Sequence, residues 1–243
     1  MEPSPETPIG LIASEMEAAI PYFEKFRIDY TCQGNLSLLE ACDRVGMPVE
    51  EALEALRTIE KEEPVHGTTQ HWTQRSMADI IGFILSHHHR FSREMIEKSN
   101  GLLERLPPVY GFDHPQLVFL KNLFKEMGDE LKTHMSKEEE VIFPYLVERE
   151  KAEADGRTIP NPFLDHPLFR QPLRVLEWEH QMAEMEWGQV HLLTNEFTPP
   201  SGTGSNYRSL YGGLKALEQD LHRHMHLENN VLFKRAIDKG WLE

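Results

Sequence analysis

The sequence predicts an all-α protein, an up-down-up-down four-helix bundle preceded by a small helical N-terminal domain. Three observations predict it. Apolar residues recur at helical spacing through four long stretches, Pro/Gly-rich segments separate those stretches, and no alternating strand pattern competes with them. A chain of 243 residues suits one main domain with a small companion and is long enough to bury a sizeable core.

The elements follow in order. Residues 8–59 read as short helices. In LLEACDRVGMPVEEALEALRTIE, Gly46 ends one helix, and Pro48 opens the next ahead of acids that suit a helix N-terminus. Periodicity is lost in KEEPVHGTTQHW, so the chain divides into an N-terminal domain at 1–63, a linker at 64–75 and the bundle at 76–243. The four bundle helices are expected near 76–106, 115–151, 171–196 and 207–237, broken by RLPPVYGFDHP, DGRTIPNPFLDHP and FTPPSGTGSN. On the second, the ladder Leu117, Leu120, Phe124, Met127, Leu131 continues into His134 and Glu138, then Val141 and Tyr145. On the fourth, Leu214, Leu217 and Leu221 continue into His224, Glu228 and Val231. Polar residues are thereby aimed into the core.

Composition narrows the function. A net charge of −15 lacks the clustered Lys/Arg footprint of nucleic-acid binding. Apolar runs fall short of membrane length, and MEPSPETPIG lacks a signal-peptide layout, so a cytoplasmic address with no membrane partner is expected. Two cysteines, Cys32 and Cys42, make no disulfide framework. Thirteen histidines, several of them clustered, are the feature to follow.

A buried His or Glu needs hydrogen-bond partners or a cation. His and Glu four apart on a helix lie side by side and can reach a shared metal pair. Three His-x-x-x-Glu pairs occur: His134/Glu138, His180/Glu184 and His224/Glu228. Two of them belong to a repeat, since HMSKEEEVIF parallels HMHLENNVLF with His, Met, Glu, Val and Phe at equal offsets. On the third helix, Leu173, Leu176, Ala183 and Trp187 place His180 inward. On the first, Ile84 lines up with His88, while Ile81 and Leu85 line up with His89, and periodicity leaves the choice open. His66, His71, His166, His191, His222 and His226 read as solvated. A ferritin-like site needs Glu-x-x-His on two helices, and only Glu177 to His180 supplies one. A histidine-rich set with carboxylates suits Fe, Zn or Mn, and two metals sharing carboxylates point to two iron ions.

With HMSKEEEVIFP, EWEHQMAE, TPPSGTGS, HMHLENNVLF and DYTCQGNLSLLEAC, nearly the whole chain resembles the iron-sulfur cluster repair di-iron family, which joins a small N-terminal domain to a hemerythrin-like bundle. In ADIIGFILSHHHRFSRE the resemblance selects His89 as a ligand. It supports His134, Glu138, His180, His224 and Glu228 with it, both glutamates bridging; Glu130, one turn before His134, and Glu179, beside His180, are candidates for support around the metals by their adjacency to this set. It implies repair of iron-sulfur clusters damaged by nitrosative or oxidative stress, through iron donation or nitric oxide reduction. Implied partners are nitric oxide, dioxygen, proteins with damaged clusters and a second copy in a homodimer; the alternative is an O2/NO carrier or sensor without turnover. Two positions depart from the family. Tyr110 stands where a further ligand histidine is usual, so either its phenolate coordinates or one metal keeps an open position, with His114 a substitute. Thr31-Cys32 replaces an adjacent cysteine pair, which leaves Cys32 as the reactive thiol and Cys42 as a buried helical residue.

Overall fold

The computed structural model describes residues 1–61, 72–161 and 172–242. His66, His71, His166 and most of the expected linker lie outside the described residues. Among those described there is no strand, only one isolated bridge between Pro8 and Ser37, and the fold is all-α. No described helix is long and apolar enough to cross a membrane. The helices form two compact units, one of Met1–Ile80 with Arg223–Glu243 and the other of Ile81–His222.

In the first unit, α1 (Ile9–Glu15), α2 (Ile20–Phe26), α3 (Leu38–Val45) and α4 (Val49–Lys61) bury Ile9, Ile12, Phe23, Leu38, Cys42 and Leu56 in one cluster. Ser37 and Glu40 start α3 with a capping box: the Ser37 hydroxyl accepts the Glu40 N–H, and the Glu40 carboxylate accepts the Ser37 N–H. Gly46 ends α3 in the left-handed conformation at φ 70°, as the sequence predicts. The C-terminal part of the unit is a π-helical stretch, Leu227–Phe233, followed by α12 (Lys234–Asp238). Its Asn230 amide donates to the Tyr30 carbonyl at 2.8 Å, and Asn229 donates to the Thr31 carbonyl at 3.2 Å. Asn230 fits because Gly10 and Gly34 have no side chain; a Cβ there would lie 2.4 and 2.0 Å from its Oδ1.

The second unit holds the end of α5 (Met77–Phe83), a π-helical stretch Ile84–His89, α6 (Arg90–Arg105), α7 (Pro107–Tyr110), α8 (Gln116–Lys137), a second π-helical stretch Glu138–Ile142, α9 (Phe143–Ala154), α10 (Pro172–Thr194) and α11 (Ser205–His226) as far as residue 222. α10 packs along α8, and α6 along α8. The third bundle helix stops two residues short of the expected end, because Asn195, Glu196 and Phe197 all turn left-handed, at φ 48°, 55° and 55°. Val141, expected inside, is exposed, and Ile142 is buried in its place. The π turn shifts the helical phase locally, so that Val141 turns outward, while Tyr145 beyond it is buried as expected.

Where α10 meets α8, burial and the nearby charges of Glu130 and Glu126 push the Glu186 carboxyl up to about 7. A carboxyl that holds its proton more tightly when folded loses stability as pH rises from its unfolded value through the folded one. Glu186→Gln should therefore be near neutral at pH 5 and stabilising at pH 8, by on the order of 1 kcal/mol after solvent screening, in urea unfolding at the two pH values. Gly34→Ala should cost about 1–3 kcal/mol in the same assay, since the Asn230 amide must move out of the space that the new methyl fills.

Candidate metal centre

Four buried polar residues of the second unit, His89, His134, Glu138 and His180, lie together, two of them in π-helical stretches. His89 closes one stretch, and Glu138 opens another four residues after His134. His180 enters from α10. Glu138 and His89 are fully buried, and His134 and His180 nearly so. The His134 Nε2 lies 3.1 Å from Glu138 Oε1, the His89 Nε2 3.4 Å from Glu138 Oε2, and the His180 Nε2 3.0 Å from the His134 Nε2. His134, Glu138 and His180 thus offer ligand atoms within 4.8 Å of one another.

The far side of two of these rings is fixed by carboxylates. His89 Nδ1 lies 2.6 Å from Glu139 Oε1, and Arg93 holds the same carboxylate with two hydrogen bonds. His134 Nδ1 lies 2.8 Å from Glu179 Oε2, and Lys137 pairs with the other oxygen. Burial alone would raise both carboxyls. Arg93 and His89 outweigh it at Glu139, His134 and Lys137 outweigh it at Glu179, and both stay below the usual carboxylate range. A ring that donates its Nδ1 proton to a carboxylate presents the Nε2 lone pair on its other side. Those lone pairs face a buried carboxylate, an arrangement that repels unless a cation lies between, and carboxylate–histidine–metal chains have this form. The donor set fits a divalent transition metal.

In the first unit the second copy of the repeat makes the matching pair. His224 Nε2 lies 2.7 Å from Glu228 Oε1, both groups are buried, and Glu228 again sits in a π-helical stretch.

Residues 80–236 match the family model described as the hemerythrin HHE cation binding domain. The chain belongs to this family. A second model, described as a domain of unknown function (DUF542), matches residues 5–60. Similar proteins include the iron-sulfur cluster repair protein YtfE of Yersinia pseudotuberculosis and that of Yersinia pestis, each 31% identical over 232 residues, covering 94% of this chain and 96% of the relative. A hemerythrin HHE domain implies a metal-binding, typically iron, site.

Other residues singled out from the sequence stand as follows. Glu179 lies against His134. Glu130 is exposed beside Glu186, whereas Glu139, hidden in the run Glu138-Glu139-Glu140, holds His89. Tyr110 is placed in a different cluster: its phenol oxygen accepts the Gly204 N–H at 3.1 Å, and its ring meets Tyr207 edge-on. His114 packs on the same Tyr207 ring. His88 is buried and paired with Asp220 at 3.0 Å. Three histidines expected in solvent are not there. His226 is buried under the Tyr30 ring, with burial pushing it down to about 4, and the part-buried His191 and His222 pair with Glu218 and Glu184. Periodicity could not show this, because the covering groups come from distant segments. Cys32 is half-buried with its N–H donated to Asp29, and Cys42 is buried in α3.

Glu179→Gln should weaken metal retention against a chelator by about 10–100-fold, the usual cost of losing a carboxylate behind a ligand histidine. Tyr110→Phe, in the same chelator assay, should leave retention unchanged and cost about 1 kcal/mol of stability for the lost hydrogen bond.

Proposed function

We propose that the protein is a di-iron protein that helps repair iron-sulfur clusters damaged by nitrosative or oxidative stress. The observation that carries this is the set of buried imidazoles aimed by Glu139 and Glu179 at a buried carboxylate, in a hemerythrin HHE chain that runs the length of relatives named for cluster repair. The ligands are His89, His134, Glu138, His180, His224 and Glu228, with Glu138 and Glu228 bridging. The duplicated block and the family match across 80–236 support pairing the two carboxylates. The chain divides into an N-terminal domain at 1–63, a linker at 64–75 and the iron-binding bundle at 76–243.

Two irons, when bound, supply reversible redox change and sites for nitric oxide or dioxygen, or are themselves given up to a damaged cluster protein. The chain's own residues do the rest. Glu139 and Glu179 set the tautomer and direction of His89 and His134 and raise their basicity. Arg93 and Lys137 keep both supporting carboxylates ionised.

Purified protein should retain about two irons per chain, and Glu138→Ala should lose both, because its carboxylate serves both metals. Iron-loaded protein should restore activity to a nitric-oxide-inactivated iron-sulfur enzyme, and His134→Ala should not. Retention of zinc alone, or equal restoration by the His134 variant, would refute the reading. Repeated nitric oxide consumption by the reduced protein would assign turnover, and a single uptake per site would assign binding.

A further inference from the structure

The outer face of α10 carries an apolar stripe that is exposed at Val175, Trp178, Met185 and Leu192 and part-buried at Met182. Val175, Trp178, Met182, Met185 and Leu192 fall at alternating steps of three and four, with Gln189 filling the remaining position. The residues that α10 turns inward are different ones: Leu173, Leu176, His180, Trp187 and Val190. Trp178 and Met185 are each 58% exposed, and Leu192 is 83% exposed. Scattered surface apolar residues are ordinary, but a 3-4 repeat kept up along a helix for about 25 Å is the spacing of a seam that receives another helix. An exposed Trp within it is the usual kind of anchor.

The charges beside the stripe say what kind of helix fits. On α10, Glu179 and Glu184 are already paired with Lys137 and His222, which leaves Arg174 against the exposed Glu177 and the part-buried Glu186. On α8 the exposed Glu126 and Glu130 crowd Glu186, whose raised carboxyl records burial together with like charge. A second copy of this chain would set these carboxylates against their own kind. A cationic helix would relieve them.

We infer that the outer face of α10 docks an amphipathic helix of a partner protein, apolar at 3-4 spacing and flanked by Lys and Arg. This docking surface is independent of the metal reading.

The test is calorimetric titration of the full-length protein with a synthetic three-heptad peptide, Leu at the 3-4 positions and Lys at the flanking ones. A peptide with the same Leu core and Glu flanks is the control. One-to-one binding of the Lys peptide in the range of about 10 μM is expected, with none of the Glu peptide. The pair Met185→Glu and Leu192→Glu, at exposed positions, should weaken binding at least about tenfold. Glu126→Gln with Glu130→Gln, also exposed, should weaken it several-fold and flatten its salt dependence. The inference fails if the Lys peptide does not bind, if both peptides bind alike, or if the Met185/Leu192 variant binds as the parent does. It also fails if sedimentation shows the parent to be a dimer that this variant separates, since a second copy would then cover the face.

Discussion

Burying a carboxylate and several imidazoles inside a helical interior is costly unless positive charge is shared among them, and much of this structure can be understood as meeting that cost. Glu138 is fully buried with two imidazole nitrogens turned toward it. Replacing one such group by an apolar residue would leave its neighbours uncompensated. The set therefore stands or falls together, and its natural counter-charge is a metal cation held by nitrogen and oxygen donors.

Two devices hold the groups in place. Outside the rings, Glu139 with Arg93 and Glu179 with Lys137 form charged pairs that anchor the Nδ1 atoms and leave each Nε2 pointing inward. Along the chain, the π-helical stretches Ile84–His89, Glu138–Ile142 and Leu227–Phe233 each contain a residue of the proposed ligand set. A π turn costs hydrogen-bond quality and persists where packing or function repays it. Here it lets a polar side chain face inward without displacing the apolar ladder before it.

The N-terminal segment takes part through the first unit. Asn229 and Asn230 directly follow Glu228 and donate to the successive carbonyls of Thr31 and Tyr30, just before Cys32. Gly10 and Gly34 leave room for the Asn230 amide. The stretch carrying Glu228 and the turn carrying Cys32 are thus held by the same pair of side chains. A change in the N-terminal segment is then felt next to a proposed ligand position.

Much of the architecture was legible in the sequence, because helical periodicity, Pro/Gly breaks and the Ser37/Gly46 boundaries of α3 are local signals. So was the pairing of His134 with Glu138 and of His224 with Glu228, since residues four apart on a helix are neighbours whatever surrounds them. The supporting shell was only partly legible: Glu179 stood out beside His180, but Glu139 did not, its partner lying 50 residues away. The phase-based reading failed at Val141, within a π turn that locally shifts the helical phase, while Tyr145 and Val231 are buried as read. It failed again at His191, His222 and His226, which are covered by groups that come together only on folding. By itself the sequence determined which residues share a helix face and that some of those faces are polar where they must be buried. The tertiary structure alone decided which carboxylate holds each ring, which nitrogen is left to point inward, and that Tyr110 belongs with Gly204 and Tyr207, because those outcomes depend on contacts between segments far apart in the chain.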